Sequence, residues 1–252
     1  MKKLLLCVAF LCTSVGVASA GLTGGVNLGW LDCAPTGATS RVSLCNTNSG
    51  GGHIITGSFV AGDSLTLVTG FAGVVDIQTA PGATISPWWS IRASLPPGCR
   101  PAAMSFSADF TGGPASCTDV WLGGATGGVT ADQPSGNRIR LKPQAALPLG
   151  DSRIGPIDPG TTVYAFKVTI NNTKTVGLGA CAGCLDEACL VLNTILVTQT
   201  PGTPGGNRLY SAPSPTAHII WQAWTNPDPQ QACPAVTPTK NKTWGSIKAI
   251  YR

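Results

Sequence analysis

Between Val163 and Ile170 the side chains alternate at every step, with Tyr164, Phe166, Val168 and Ile170 on one side and Val163, Ala165, Lys167 and Thr169 on the other. A period of two belongs to a strand, because a helix turning about 100° per residue would scatter these residues around its circumference. The pattern recurs where Met104, Phe106, Ala108 and Phe110 alternate with Ser105, Ser107 and Asp109, and where Ile139 and Leu141 alternate with Arg138, Arg140 and Lys142. Little in the chain competes with it. Of 252 residues 32 are Gly and 20 are Pro, and Glu187 is the single glutamate. That composition excludes coiled coils, helical bundles and helical solenoids. A hydrophobic content of 43% supports a packed core and excludes wholesale disorder.

Further strands are expected at 26–31, 41–45, 53–60, 64–68, 74–79, 188–199 and 217–224, separated by Gly, Pro and Asn turns. Asn171-Asn172-Thr173-Lys174 reads as a hairpin turn, with a returning strand from Thr175. Antiparallel strands without intervening helices predict an all-β fold, an antiparallel β-sandwich of the jelly-roll or immunoglobulin-like kind, as one domain over 21–252. The longest loop is expected at 200–215. A short C-terminal helix is expected, capped by Thr243 and carrying Trp244, Ile247 and Ile250 or Tyr251. Gly136-Asn137-Arg138-Ile139 and Gly206-Asn207-Arg208-Leu209 are alike but too short to make an internal repeat.

Residues 1–20 read as a signal peptide: Lys2 and Lys3 form the basic start, Leu4 to Cys12 the apolar core and Ala18-Ser19-Ala20 the cleavage site. Leucines, not small residues, precede Cys7 and Cys12, which argues against a lipoprotein. No later window reaches the ~18 apolar residues of a membrane helix. The mature chain is therefore expected to be secreted, extracellular or at the cell surface, with the periplasm as an alternative, and either soluble or held by contacts.

Past the leader lie eight cysteines, Cys33, Cys45, Cys99, Cys117, Cys181, Cys184, Cys189 and Cys233. An even count in an exported chain predicts disulfides. Proximity in sequence favours Cys33 with Cys45 and Cys99 with Cys117, leaving the other four to pair among themselves. Cys181-Ala182-Gly183-Cys184 lacks the helix of a redox motif and the histidine of a haem site, Leu185 standing there. Four thiolates at 181, 184, 189 and 233 could hold zinc, but oxidation competes with metal outside the cytoplasm.

The usual catalytic and nucleotide-binding motifs are missing. His53 and His218, the only histidines, each open an apolar strand-like run, which favours a structural or surface role. With a single glutamate, a glycosidase pair would fall to aspartates, and Asp109, Asp119 and Asp132 are the candidates near Trp121. No catalytic residue, cofactor or metal site is expected from the sequence itself. The Lys240, Lys242, Lys248 and Arg252 patch lacks the clustering of a nucleic-acid binder. Exposed tryptophans can stack on sugar rings while the indole N–H donates a hydrogen bond, so Trp88, Trp89, Trp121, Trp221 and Trp224 are candidate ligand-binding residues. In a strand the adjacent Trp88 and Trp89 would point to opposite faces.

Gly25-Val-Asn-Leu-Gly-Trp-Leu-Asp-Cys33, Tyr164-Ala-Phe-Lys-Val-Thr-Ile-Asn-Asn-Thr-Lys-Thr-Val-Gly177, Cys181-Ala-Gly-Cys184 and Thr243-Trp-Gly-Ser-Ile-Lys-Ala-Ile-Tyr-Arg252 resemble a family of secreted, cysteine-containing, β-rich bacterial proteins with no known activity. The resemblance covers most of the chain after the leader. It implies secretion and a shared β-rich fold, and it assigns no functional residue. The expected function is a non-enzymatic extracellular or cell-surface interaction or structural module, with an envelope protein or a cell-surface polysaccharide as partner and a homo-oligomer as one form. The alternatives are a carbohydrate-binding module with a tryptophan platform, and a hydrolase with an Asp pair or a Ser-His-Asp site assembled in space.

Overall fold

Period-two segments with one apolar face can bury it only against another such face, and here they do so as two sheets. The computed structural model describes residues 24–80, 82–148, 155–212 and 214–222. Its strands are Gly25–Trp30 (β1), Ser40–Arg41 (β2), His53–Val60 (β3), Val68–Gln78 (β4), Met104–Ser107 (β5), Thr126–Ser135 (β6), Arg138–Ala146 (β7), Thr162–Ile170 (β8), Ala188–Gln199 (β9), Arg208–Ser211 (β10) and His218–Trp221 (β11). One sheet runs β1-β3-β8-β5 and the other β2-β11-β9-β4-β7-β6, with β10 beside β11 along the same edge of β9. The fold is an all-β, disulfide-stabilised sandwich. Pairing is antiparallel throughout the named strands except for β2 on β11, which is parallel. No helix among the described residues is long and apolar enough to cross a membrane. The expected helix at 243–251 lies outside the described residues.

Val26, Leu28 and Trp30 of β1, Ile55 and Phe59 of β3, and Phe166, Val168 and Ile170 of β8 point inward and meet Phe71, Val75 and Ile77 of β4 and Leu190, Leu192, Ile195 and Val197 of β9. The expected single apolar face of β8 is corrected at one place. Gly57 pairs with Phe166 but Ser58 pairs with Tyr164, so Ala165 is an extra residue in the ladder. This bulge reverses the faces beyond it: Val163 turns inward opposite Phe59, and Tyr164 turns outward. There Tyr164 stacks on Phe110, ring centroids 4.3 Å apart, beneath the 108–117 loop. Gly57 itself lies under the Phe166 ring, where an added Cβ would come within 2.2 Å of ring carbon. Gly57→Ala is therefore expected to lower unfolding free energy by ~1–3 kcal/mol through overpacking, measurable by denaturant titration.

Several expected elements differ. No strand returns at Thr175, because the Asn48 side chain takes the backbone of Thr175 and Val176 in hydrogen bonds of 2.7 and 2.9 Å and holds them in a loop. The next strand, β9, belongs to the opposite sheet. Of residues 64–68 only Val68 belongs to a strand, as the first residue of β4, and Leu65 forms an isolated bridge to Ile157. The strand expected at 104–110 stops at Ser107, where Asp109 turns the chain by accepting the Thr111 N–H. Of 41–45 only Arg41 belongs to a strand, the last residue of β2. The long loop at 200–215 contains β10. The Asn137 and Asn207 segments both lead into strands, β7 and β10, so their likeness marks two hairpin exits.

The bridges are Cys33–Cys117, Cys45–Cys184 and Cys99–Cys181, and Cys189 is disulfide-bonded as well. Both local pairings, Cys33 with Cys45 and Cys99 with Cys117, are thus corrected, since the fold brings together cysteines 82 to 139 residues apart. Cys181 and Cys184 go to different partners, so their Cys-x-x-Cys spacing is no redox pair here.

Candidate interaction surface

Four of the five candidate ligand-binding tryptophans form part of the core. Trp88, Trp89, Trp121 and Trp221 are fully buried, and Trp224 lies outside the described residues. Trp88 and Trp89 occupy a 3₁₀ turn opened by Pro87, not a strand. Three residues per turn set consecutive side chains ~120° apart, so both enter the core instead of splitting between faces. Trp88 stacks on Trp221 at 5.1 Å, and Trp89 meets both edge-on. Three of these indoles donate inside the protein: Trp88 to Thr175 Oγ1 at 3.1 Å, Trp221 to the Cys184 carbonyl at 2.8 Å and Trp121 to the Tyr164 carbonyl at 2.6 Å. These four residues therefore form no sugar platform.

Beside this cluster sit two basic side chains. Arg100, 1% exposed, lies 3.9 Å above the Trp88 ring and donates to the carbonyls of Thr173, Trp88 and Asn171. Burial lowers its pKa to about 10, so it stays charged at neutral pH. His53 accepts from Arg41 Nε at Nδ1, 2.7 Å away, so its Nε2 carries the proton and donates to Asn172 Oδ1 at 2.9 Å. Burial, followed by the charge of Arg41, lowers its pKa to about 4, with Arg100 adding to the effect and Asn172 opposing it. Protonation would place a donor against a donor. Because the folded pKa is the lower one, the stabilisation from neutral His53 is complete above about pH 6.5 and is lost as pH falls toward 4. Burial of His218 acts in the same direction. Unfolding free energy is expected to drop by on the order of 2 kcal/mol across that window, and His53→Gln should flatten the decline in a pH series of denaturant titrations.

The three candidate aspartates are each engaged locally. Asp109 accepts from the Thr111 hydroxyl and backbone N–H, which hold its carboxyl below the usual aspartate range. Asp119 accepts from the backbone N–H of Trp121 at 2.9 Å and Leu122 at 3.2 Å, and Asp132 pairs with Lys142 at 3.3 Å on the other sheet. Asp119 also borders a cleft of about 300 Å³ with Thr118, Val120, Ile157, Asp158 and Thr161. This is a polar notch in which one of the two carboxylates already serves as a turn acceptor. Asp32, not singled out by the sequence, accepts from the Tyr164 hydroxyl at 2.6 Å and from Ser116 beside the Cys33–Cys117 bridge. Burial and this bond raise the Tyr164 phenol to about 12. No group of three or more His, Cys, Asp or Glu with metal-binding geometry occurs among the described residues.

Among the described residues, one exposed strand edge leaves outward backbone groups unpaired. Exposed edges invite pairing, and several here are covered. On β6, Arg92 and Ser94 donate to the carbonyls of Val129 and Ala131 at 2.9 Å each, and Pro134 interrupts the strand. Thr118 runs beside β8, and the Thr216 carbonyl takes the Leu28 N–H of β1. The segment after β2 is different. Gln222 donates its N–H to the Arg41 carbonyl at 2.9 Å, and its side-chain amide pairs with both backbone groups of Ser43 at 3.1 and 2.9 Å, prolonging the sheet beyond β11. Exposure alternates from Arg41 to Asn48, with Val42 68% and Leu44 80% exposed. Among the described residues, the backbone groups of Val42 and Leu44 have no hydrogen-bond partner. The Cys45–Cys184 bridge pins the segment and sets exposed Leu185 next to it. Sequence reasoning marked 41–45 as a strand without showing that it forms a free edge.

No protein-family model matches the chain, and no curated protein matches it.

Proposed function

We propose that the chain is an exported, non-enzymatic interaction or structural module that works at the surface of a bacterial cell by strand pairing through the 42–44 edge. The observation that carries this reading is an exposed, apolar stretch whose outward backbone groups have no hydrogen-bond partner among the described residues. The signal-peptide pattern at 1–20 and the disulfides support export, since such bridges persist in oxidising compartments. The non-enzymatic reading is supported by the polar groups His53, Arg100, Asp32 and Tyr164, each of which is bonded within the fold.

The test compares wild type with Leu44→Lys in the producing cell. Leu44 is 80% exposed, so the variant should fold. Wild type is expected in the cell-surface fraction and Leu44→Lys largely in the medium. Equal release of both forms would contradict the proposal.

A further inference from the structure

We infer that the 42–44 edge, which the left-handed backbone of Cys45 ends, pairs with the same edge of a second copy of this chain, antiparallel about a two-fold axis through Ser43. This deepens the interaction-module reading and rests on it. The register follows from the hydrogen bonds already formed. Ser43 turns its N–H and C=O toward Gln222, so Val42 and Leu44, on either side of it, present theirs to the opposite side. Across the two-fold axis Val42 then faces Leu44 of the second copy, and each of the two such pairs exchanges both N–H···O bonds. Ser43 faces Ser43 as the non-bonded pair between them. Val42 and Leu44 share one sheet face, so the two copies gather four apolar side chains into one cluster.

Charge argues for a second copy over another partner. From Val42 to Gly52 the chain carries no charged residue and no proline, although its formal net charge is +5. Like edges can therefore meet without repulsion, whereas a partner recognised by charge finds nothing to hold. A two-fold contact is also self-complementary and closed. Two edges of about three residues bury less than the roughly 1,000 Å² of a standing interface. The pairing is accordingly weak, and strongest where copies are concentrated, as on a crowded surface.

Sedimentation equilibrium of the full exported chain with its bridges intact, from about 10 µM to about 1 mM, tests this. The expected result is a mass rising from one chain toward two. Leu44→Lys, and separately Val42→Pro, which removes an outward N–H, should each weaken association at least about tenfold. Leu209→Lys, at an exposed leucine on β10, should leave it unchanged. A mass of one chain throughout, or association that both edge variants retain, overturns the inference. If purified wild type stays monomeric while Leu44→Lys still loses surface retention, a foreign strand occupies the edge: self-pairing falls and the module reading stands. Loss of both results removes both.

Discussion

Removing the Cys45–Cys184 bridge by paired alanine substitution is expected to lower unfolding free energy by about 3–5 kcal/mol. The bridge closes a span of 139 residues, the longest of the three bridges with both cysteines among the described residues, and in the chain-entropy view longer loops constrain the unfolded chain more. Its loss reaches beyond the cross-link. Cys45 ends the free edge, and the Cys184 carbonyl takes both the Trp221 indole N–H at 2.8 Å and the Gln222 amide at 3.0 Å. The double variant should therefore show a large fall in denaturation midpoint together with a changed tryptophan spectrum. A loss under about 1 kcal/mol would mean that Gln222 and the tryptophan cluster hold this end of the sandwich without the bridge.

Arg100→Ala should be of similar size, about 3–5 kcal/mol. The guanidinium is buried and bonded to three backbone carbonyls from two loops. Truncation leaves those acceptors dry and uncovers the Trp88 face. Arg100→Lys should recover little, since one ammonium cannot reproduce a planar fork over an indole while reaching all three carbonyls. Thermal unfolding of both variants beside wild type checks this. Near-complete rescue by lysine would show that charge alone matters there.

The sequence revealed elements whose signal is local. β3 and β9 fall at 53–60 and 188–199 as the alternation predicts, and β8 begins one residue earlier than its pattern. The two-residue repeat and the turn residues suffice there, because burial of one face dictates the pattern. β6 escaped because Gly127, Gly128 and Pro134 hide a strand at the sheet margin, where pairing on one side tolerates such residues. β10 was hidden by the Pro and Gly of the loop that enters it.

Long-range geometry was not legible. A one-residue bulge at Ala165 turns Tyr164 toward Asp32, and no propensity signals it. Cysteine spacing could not select bridges more than 80 residues apart. The placement of Trp88 and Trp89 did have a local clue, Pro87 ahead of them, which suits the first position of a helical turn better than a strand interior. The free edge shows in the alternation of Val42 and Leu44 with Ser43 and Cys45. That it stays open depends on where Gln222 arrives from the far end of the chain.

The most direct measurement is the native mass of the exported protein, recovered separately from the surface and from the medium of the producing cell. The account predicts that the surface fraction holds most of the protein, in complexes larger than one chain. Single-chain mass in both fractions, with the protein mainly in the medium, would contradict a module that works through surface contacts.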